Sequence, residues 1–257
     1  MAIGRIRFRG LIRAASPFLL VFGALFLLIW PTVEGIVSRW LRFDESYSHG
    51  FLLLLVSVFL IFRVLKQRAL VPGFYPLWLM PFVLALLAYG MGDLLRVQAL
   101  QHLMLVPLLL GALAILLGWK QVRFFIAPVG LLFFAMPVWD FLSWTLQVIT
   151  VEINQLLLGL FDIEFEIEGV FVYLIGVGAF EIANGCSGLR YLLVGQSLSL
   201  IYGELNLRTL RARVILFATS VLLALFANWI RVFVIIYMGH ETNMQSSLIE
   251  DHESFGW

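Results

Sequence analysis

The stretch RARVILFATSVLLALFANWIRVFVIIYMGH runs from Arg211 to His240. Past Arg213 it stays apolar for longer than the about 20 residues a helix needs to cross a bilayer. A helix is the form that satisfies every backbone polar group in lipid from within one segment. Two polar residues interrupt the run, Asn228 and Arg231, and three positions apart they share a helix face. Arg231 lies eighteen positions after Arg213, roughly 27 Å along the axis, near the far edge of a core roughly 30 Å thick. An arginine at that depth either reaches out to the headgroups or serves a function, and ionisable residues inside spans are functional by default.

The same character extends through the chain. Of 257 residues, 62% are hydrophobic and 13% charged, about half the charged share of a soluble domain. Mean hydropathy is +0.99. So much apolar surface requires lipid as solvent. The apolar runs fall at about 17–38, 50–66, 75–94, 98–118, 123–143, 187–204 and 213–239, which predicts seven spans. The basic start and apolar run of MAIGRIRFRGLIRAASPFLLVFGALFLLIW resemble a signal peptide. No A-x-A-like cleavage site follows, so it reads as a retained first helix. The net charge of +1 argues neither for nor against nucleic acid, and no nucleic-acid partner is expected.

Lys and Arg positions orient the spans. With the N-terminus in the cytoplasm, Arg5, Arg7, Arg9, Arg13, Arg63, Lys66, Arg68, Lys120, Arg123, Arg208, Arg211 and Arg213 share one side. These are twelve of the seventeen basic residues. From Phe124 to Leu189 there is neither Lys nor Arg, while Asp140, Glu152, Asp162, Glu164, Glu166, Glu168 and Glu181 accumulate. An acidic, base-free segment suits the outer face. Within it, TLQVITVEINQLLLGLF (145–161) carries Gln147, Thr150, Asn154 and Gln155, and predicts a helix lying flat at the interface. Trp139 and Trp144 would anchor it at headgroup level. Then Ile163, Phe165 and Ile167 alternate with Glu164, Glu166 and Glu168, a strand pattern with one wet face. A small extracytoplasmic β-hairpin, punctuated by Gly169, Gly176 and Gly178, should lead into FEIANGCSGLRYLL (180–193).

That last stretch holds the single cysteine, Cys186. It falls at the outer mouth of the sixth span, near a helix N-terminus. Arg190, four residues on, would share its face, and both effects favour thiolate. Gly185 and Gly188 would leave room for a substrate backbone. Two readings are open: an inert small apolar residue or a nucleophile. His240 and His252 lie just past the outer end of the last span, His49 stands on the outer side before the second, and His102 reads as a packing residue in the fourth. A thiol, an arginine and a histidine on one rim suit nucleophile, oxyanion clamp and proton donor. One Cys with scattered His has no metal-ligand spacing, so neither metal nor cofactor is expected. The alternative is a transporter, or a structural membrane component of a polysaccharide or export system. A transporter places its site at the midplane.

CSGLRYL around Cys186, NWIR ending at Arg231, DHESFGW with His252, YSHGF around His49 and MPVW at 136–139 together resemble the exosortase/archaeosortase family of membrane transpeptidases. The resemblance runs from about residue 30 to the C-terminus. It implies an all-α polytopic membrane protein, one integral-membrane domain over residues 1–257 with an outer insertion at about 145–185. Seven spans become eight if a further helix follows Trp257, as in family members. It implies a plasma-membrane (bacterial inner-membrane) cysteine enzyme that cleaves C-terminal sorting tails of the Pro-Glu-Pro type and passes the product to an unnamed acceptor. By residue matching, Cys186 is the nucleophile, Arg231 the motif arginine and His252 the third member, with Asn228, Arg190, His240, His49 and Glu181 in support. The implied partners are tailed membrane proteins and the bilayer.

Overall fold

The computed structural model describes residues 2–42, 46–161 and 163–245. The chain is mostly helical: α1 (Ala2–Trp40), α2 (Gly50–Gln67), α3 (Leu79–Leu94), α4 (Gln98–Leu117), α5 (Trp119–Val122), α6 (Ile126–Gly130), α7 (Phe141–Leu158), α8 (Leu189–Asn206) and α9 (Leu210–Glu241). Three strands, β1 (Phe165–Glu168), β2 (Phe171–Leu174) and β3 (Gly178–Glu181), lie between α7 and α8. Six helices among the described residues are long and apolar enough to cross a membrane: Ser16–Trp40 within α1, α2, α3 with its leading turn from Pro76, α4, α7 and α9. Helices α1 to α6 form one compact unit; α7 to α9, the sheet and the segment just before α2 form another.

In the first unit the run expected to span at 123–143 does not form one helix. It breaks into α6, a 3-10 turn over Leu131–Ala135 and extended backbone at Met136. Pro137 explains the extension, because a residue before proline is pushed out of the helical region. Non-helical backbone at membrane depth needs partners within the protein. Trp40 Nε1 donates to the Ala135 carbonyl at 2.7 Å and Ser57 Oγ to that of Pro128 at 2.8 Å. Leu131, Ala135 and Met136 are buried, as is His102 in α4.

In the second unit α7 departs from the expected interfacial helix. Gln147, Thr150 and Asn154, at i, i+3 and i+7, are buried. Its outward residues include Phe141, Trp144 and Leu156, all exposed. Thr145, Glu152 and Gln155 are exposed beside them, and Leu146, Val151 and Leu158 are buried, so both faces are mixed, and it is by length and composition that the helix stands among the six. Where one hairpin was expected, an antiparallel three-stranded meander forms in the order β1-β2-β3. Glu166 and Glu168 face out and Phe165 and Ile167 face in, as the alternation predicts. Val172 and Leu174 join Val151 and Leu158 of α7 and Val232 and Ile236 of α9 in one buried cluster.

Helices α8 and α9 form an antiparallel pair. Thr209 caps α9, its Oγ1 accepting from the Ala212 N–H. Arg213 bonds Glu204 at 2.6 Å and the Leu207 carbonyl at the turn. Small residues form the seam: Gly203 faces Arg213, Gly195 faces Ala224, and Gly188 faces Asn228, so the backbones approach closely. The 187–204 run thus forms a helix over nearly its expected bounds. With Arg190, Gln196, Ser197, Ser199 and Glu204, it is too polar to stand among the six.

Candidate active site

The cysteine sits at a junction built by three elements. Strand β3 leads through Ile182 and Ala183 into a 3-10 turn, Asn184–Cys186, and then into α8. The Cys186 N–H donates to the Ala183 carbonyl at 2.8 Å, which closes the turn. Gly188 caps α8 at φ +90°, a left-handed conformation that suits glycine. Buried side chains then grip the junction's carbonyls from outside. Gln147 Nε2 donates to Ile182 at 3.0 Å, Thr150 Oγ1 lies 3.5 Å from Ser187, and Asn228 Nδ2 donates to Cys186 itself at 2.9 Å. A buried carbonyl left without a donor costs about 1–3 kcal/mol, so these contacts fix the backbone that presents the thiol.

Asn228 therefore places α9 beside Cys186. Arg231, one turn further on the same face, is buried at 8% exposure. That value does not fit an arginine reaching out to headgroups. Helical side chains lean toward the helix N-terminus, which for Arg231 is toward Asn228 and the Cys186 turn. Cys186 is half-buried and packs against the sheet cluster. It opens on a cleft of about 190 Å³, walled by Phe180, Glu181, Val232, Ile235 and Met244 among others. Gly185 is exposed, with no atom within 4 Å of where a Cβ would stand. The thiol thus lies just ahead of the α8 N-terminus, whose dipole favours negative charge, in a mostly apolar slot with one open backbone edge.

The supporting residues separate. Glu181 shares the cysteine's cleft, whereas Arg190 and His49 line a different and larger groove. The i,i+4 relation expected between Cys186 and Arg190 does not hold, because α8 begins only at Leu189 and the left-handed Gly188 intervenes. The room expected at Gly188 is taken, since a Cβ there would meet the Asn228 side chain at 2.9–3.1 Å. His240 closes the last turn of α9, half-buried, with Nδ1 3.8 Å from Glu241. His252 lies outside the described residues, as do Asp162 and the DHESFGW motif. Gln147 and Thr150 were missed as parts of the site. Their spacing is visible in the sequence, but spacing alone does not distinguish a face toward water from one toward protein.

A cysteine held at a helix N-terminus beside a buried Asn-x-x-Arg helix can be compared with known families. The model of the transmembrane exosortase family matches residues 40–257. The chain belongs to the transmembrane exosortase family. The match takes in every helix after α1, the sheet, Cys186, Arg231 and His252. No curated protein and no solved structure matches the chain. The exosortase assignment agrees with the resemblance read from CSGLRYL and NWIR, and with a multi-pass membrane protein.

Proposed function

We propose that this exosortase is a cysteine transpeptidase that cleaves the C-terminal sorting tail of membrane-anchored proteins at the outer surface of the bacterial inner membrane. The observation that carries the reading is the hydrogen bond from Asn228 to the Cys186 carbonyl. It brings the NWIR helix, and with it the buried Arg231, to the turn that presents the thiol. The Cys186 sulfur, as thiolate, adds to the carbonyl carbon of the scissile peptide bond. Arg231 stabilises the oxyanion. The C–N bond then breaks, the amine leaves with a proton from a histidine, and a thioester remains. An acceptor amine attacks the thioester and gives a proton back to the histidine, the C–S bond breaks, and the thiolate returns; water in its place gives hydrolysis. His252 is the assigned proton donor and His240 its alternative. The orientation follows from the basic residues: those at 208, 211 and 213 border the α8–α9 turn, and the cysteine lies at the opposite end of that pair.

Trapping the acyl-enzyme tests this. Purified protein is mixed in nanodiscs with a substrate bearing a tail motif and transmembrane helix, quenched in acid and weighed intact. The reading expects an adduct on Cys186 that neutral hydroxylamine removes. Turnover without any such adduct, even under rapid quench, or an adduct on another residue, contradicts it.

A further inference from the structure

Strand β3 bonds β2 through alternate residues. The Ile182 N–H donates to the Val170 carbonyl at 2.9 Å. In the register of the pair, Phe180 opposite Val172 and Gly178 opposite Leu174 therefore also turn their backbone groups to β2. Ala179 and Glu181 turn theirs the other way, and among the described residues no strand pairs along that edge. The Glu181 carbonyl accepts from the Ala183 N–H at 2.9 Å. The Ala179 N–H and carbonyl and the Glu181 N–H have no backbone partner among the described residues, and both residues are exposed.

The same edge borders the cysteine's cleft. Ala179, Phe180, Glu181 and Ile182 all line it, together with Cys186. Successive side chains of a strand point to opposite faces, so four residues in a row line a cleft that runs along the strand's edge. The inner face of β3 is covered, since Phe180 packs on Gly239 of α9 and Met244 on Gly178. We propose that this edge takes an extended stretch of the substrate as a fourth strand, and that the added strand leads the scissile bond to Cys186. The proposal rests on the peptidase reading above and names how its substrate is held. An open edge gives a peptide affinity through main-chain bonds and specificity through pockets for alternate side chains. Here the inward side chains of the peptide would meet Ile182, Val232 and Ile235, all buried and apolar. The outward ones would stand beside the exposed Ala179 and Glu181. Whichever way the peptide runs, only every second residue turns an N–H to β3.

Hydrogen exchange read at single amides tests the added strand without turnover. The full chain carrying Cys186→Ala is placed in nanodiscs with a synthetic peptide that has a Pro-Glu-Pro-type motif and a transmembrane helix. The Ala179 and Glu181 amides should exchange fast alone and about tenfold more slowly with the peptide. With the unaltered enzyme, N-methylation of successive non-proline residues before the helix should lower kcat/KM at every second position, by about fivefold for one hydrogen bond. The two prolines, which lack an N–H, should fall in the tolerant phase. Ala179→Pro deletes an N–H that β2 does not use, and should raise KM about fivefold at an unchanged unfolding midpoint. Amides that stay open with the peptide, or a scan without a two-residue period, overturn the proposal. So does protection before any peptide is added, which would give the edge to the chain's own C-terminal segment or to a second copy. Acylation of Cys186 with both amides open would sink the added strand alone. Protection without any acyl-enzyme in the unaltered enzyme would sink the catalytic reading alone.

Discussion

Gly188 packs on Asn228 beside the thiol, and each is replaceable in a way that isolates its role. Gly188→Ala forces a Cβ into the Asn228 side chain and a left-handed backbone. The backbone alone costs about 1–2 kcal/mol. Asn228→Ala strips the donor from the Cys186 carbonyl at about 1–3 kcal/mol. Both should lower the unfolding midpoint in micelles and speed maleimide labelling of Cys186. Labelling at the wild-type rate in both variants would show that this contact does not hold the turn. Arg231 is tested by rate: Arg231→Ala should cut kcat by about 10²–10³, as loss of an oxyanion donor does. Arg231→Lys should recover little, because an ammonium lacks the planar fork. Cys186 and Arg231 could be singled out in the sequence because each is an oddity in its surroundings. The job of Gly188 could not, since what fills its space is a side chain forty positions away.

The sheet and α7 act as a mount for the cysteine turn. Leu174 is buried at 2% in the cluster against which Cys186 packs. Leu174→Ala should cost about 2–5 kcal/mol and raise Cys186 labelling, while Tyr173→Ala, on the exposed face of the same strand, should do neither. β1 was legible because glutamate alternates with apolar residues from 163 to 168. β3 was not, because Gly178–Glu181 carries no such alternation. Hydropathy also misread two helical segments for physical reasons. The run at 123–143 is apolar throughout, yet Pro137 and the buried carbonyl partners at Trp40 and Ser57 give it a broken path. On α7 the polar stripe was visible, but a stripe alone does not say whether it faces water or protein. Its partners, the carbonyls of Ile182 and Ser187, lie 35 and 37 residues on.

The proposed orientation puts the sheet and Cys186 outside and the Arg208–Arg213 turn inside. In a Cys186→Ser background, a cysteine placed after Arg68 should resist a membrane-impermeant thiol reagent, and one at Phe165 should react in intact cells. The reverse pattern would place the cysteine turn in the cytoplasm. The central claim is that Cys186 processes tailed proteins, and co-expression tests it most directly. A reporter carrying a Pro-Glu-Pro-type motif, transmembrane helix and basic end is expressed with wild type, Cys186→Ala or Cys186→Ser, and its new C-terminus is weighed. The account predicts cleavage by wild type alone, with added mass at the C-terminus for transfer or a free acid for hydrolysis. Undiminished processing by Cys186→Ala would contradict it.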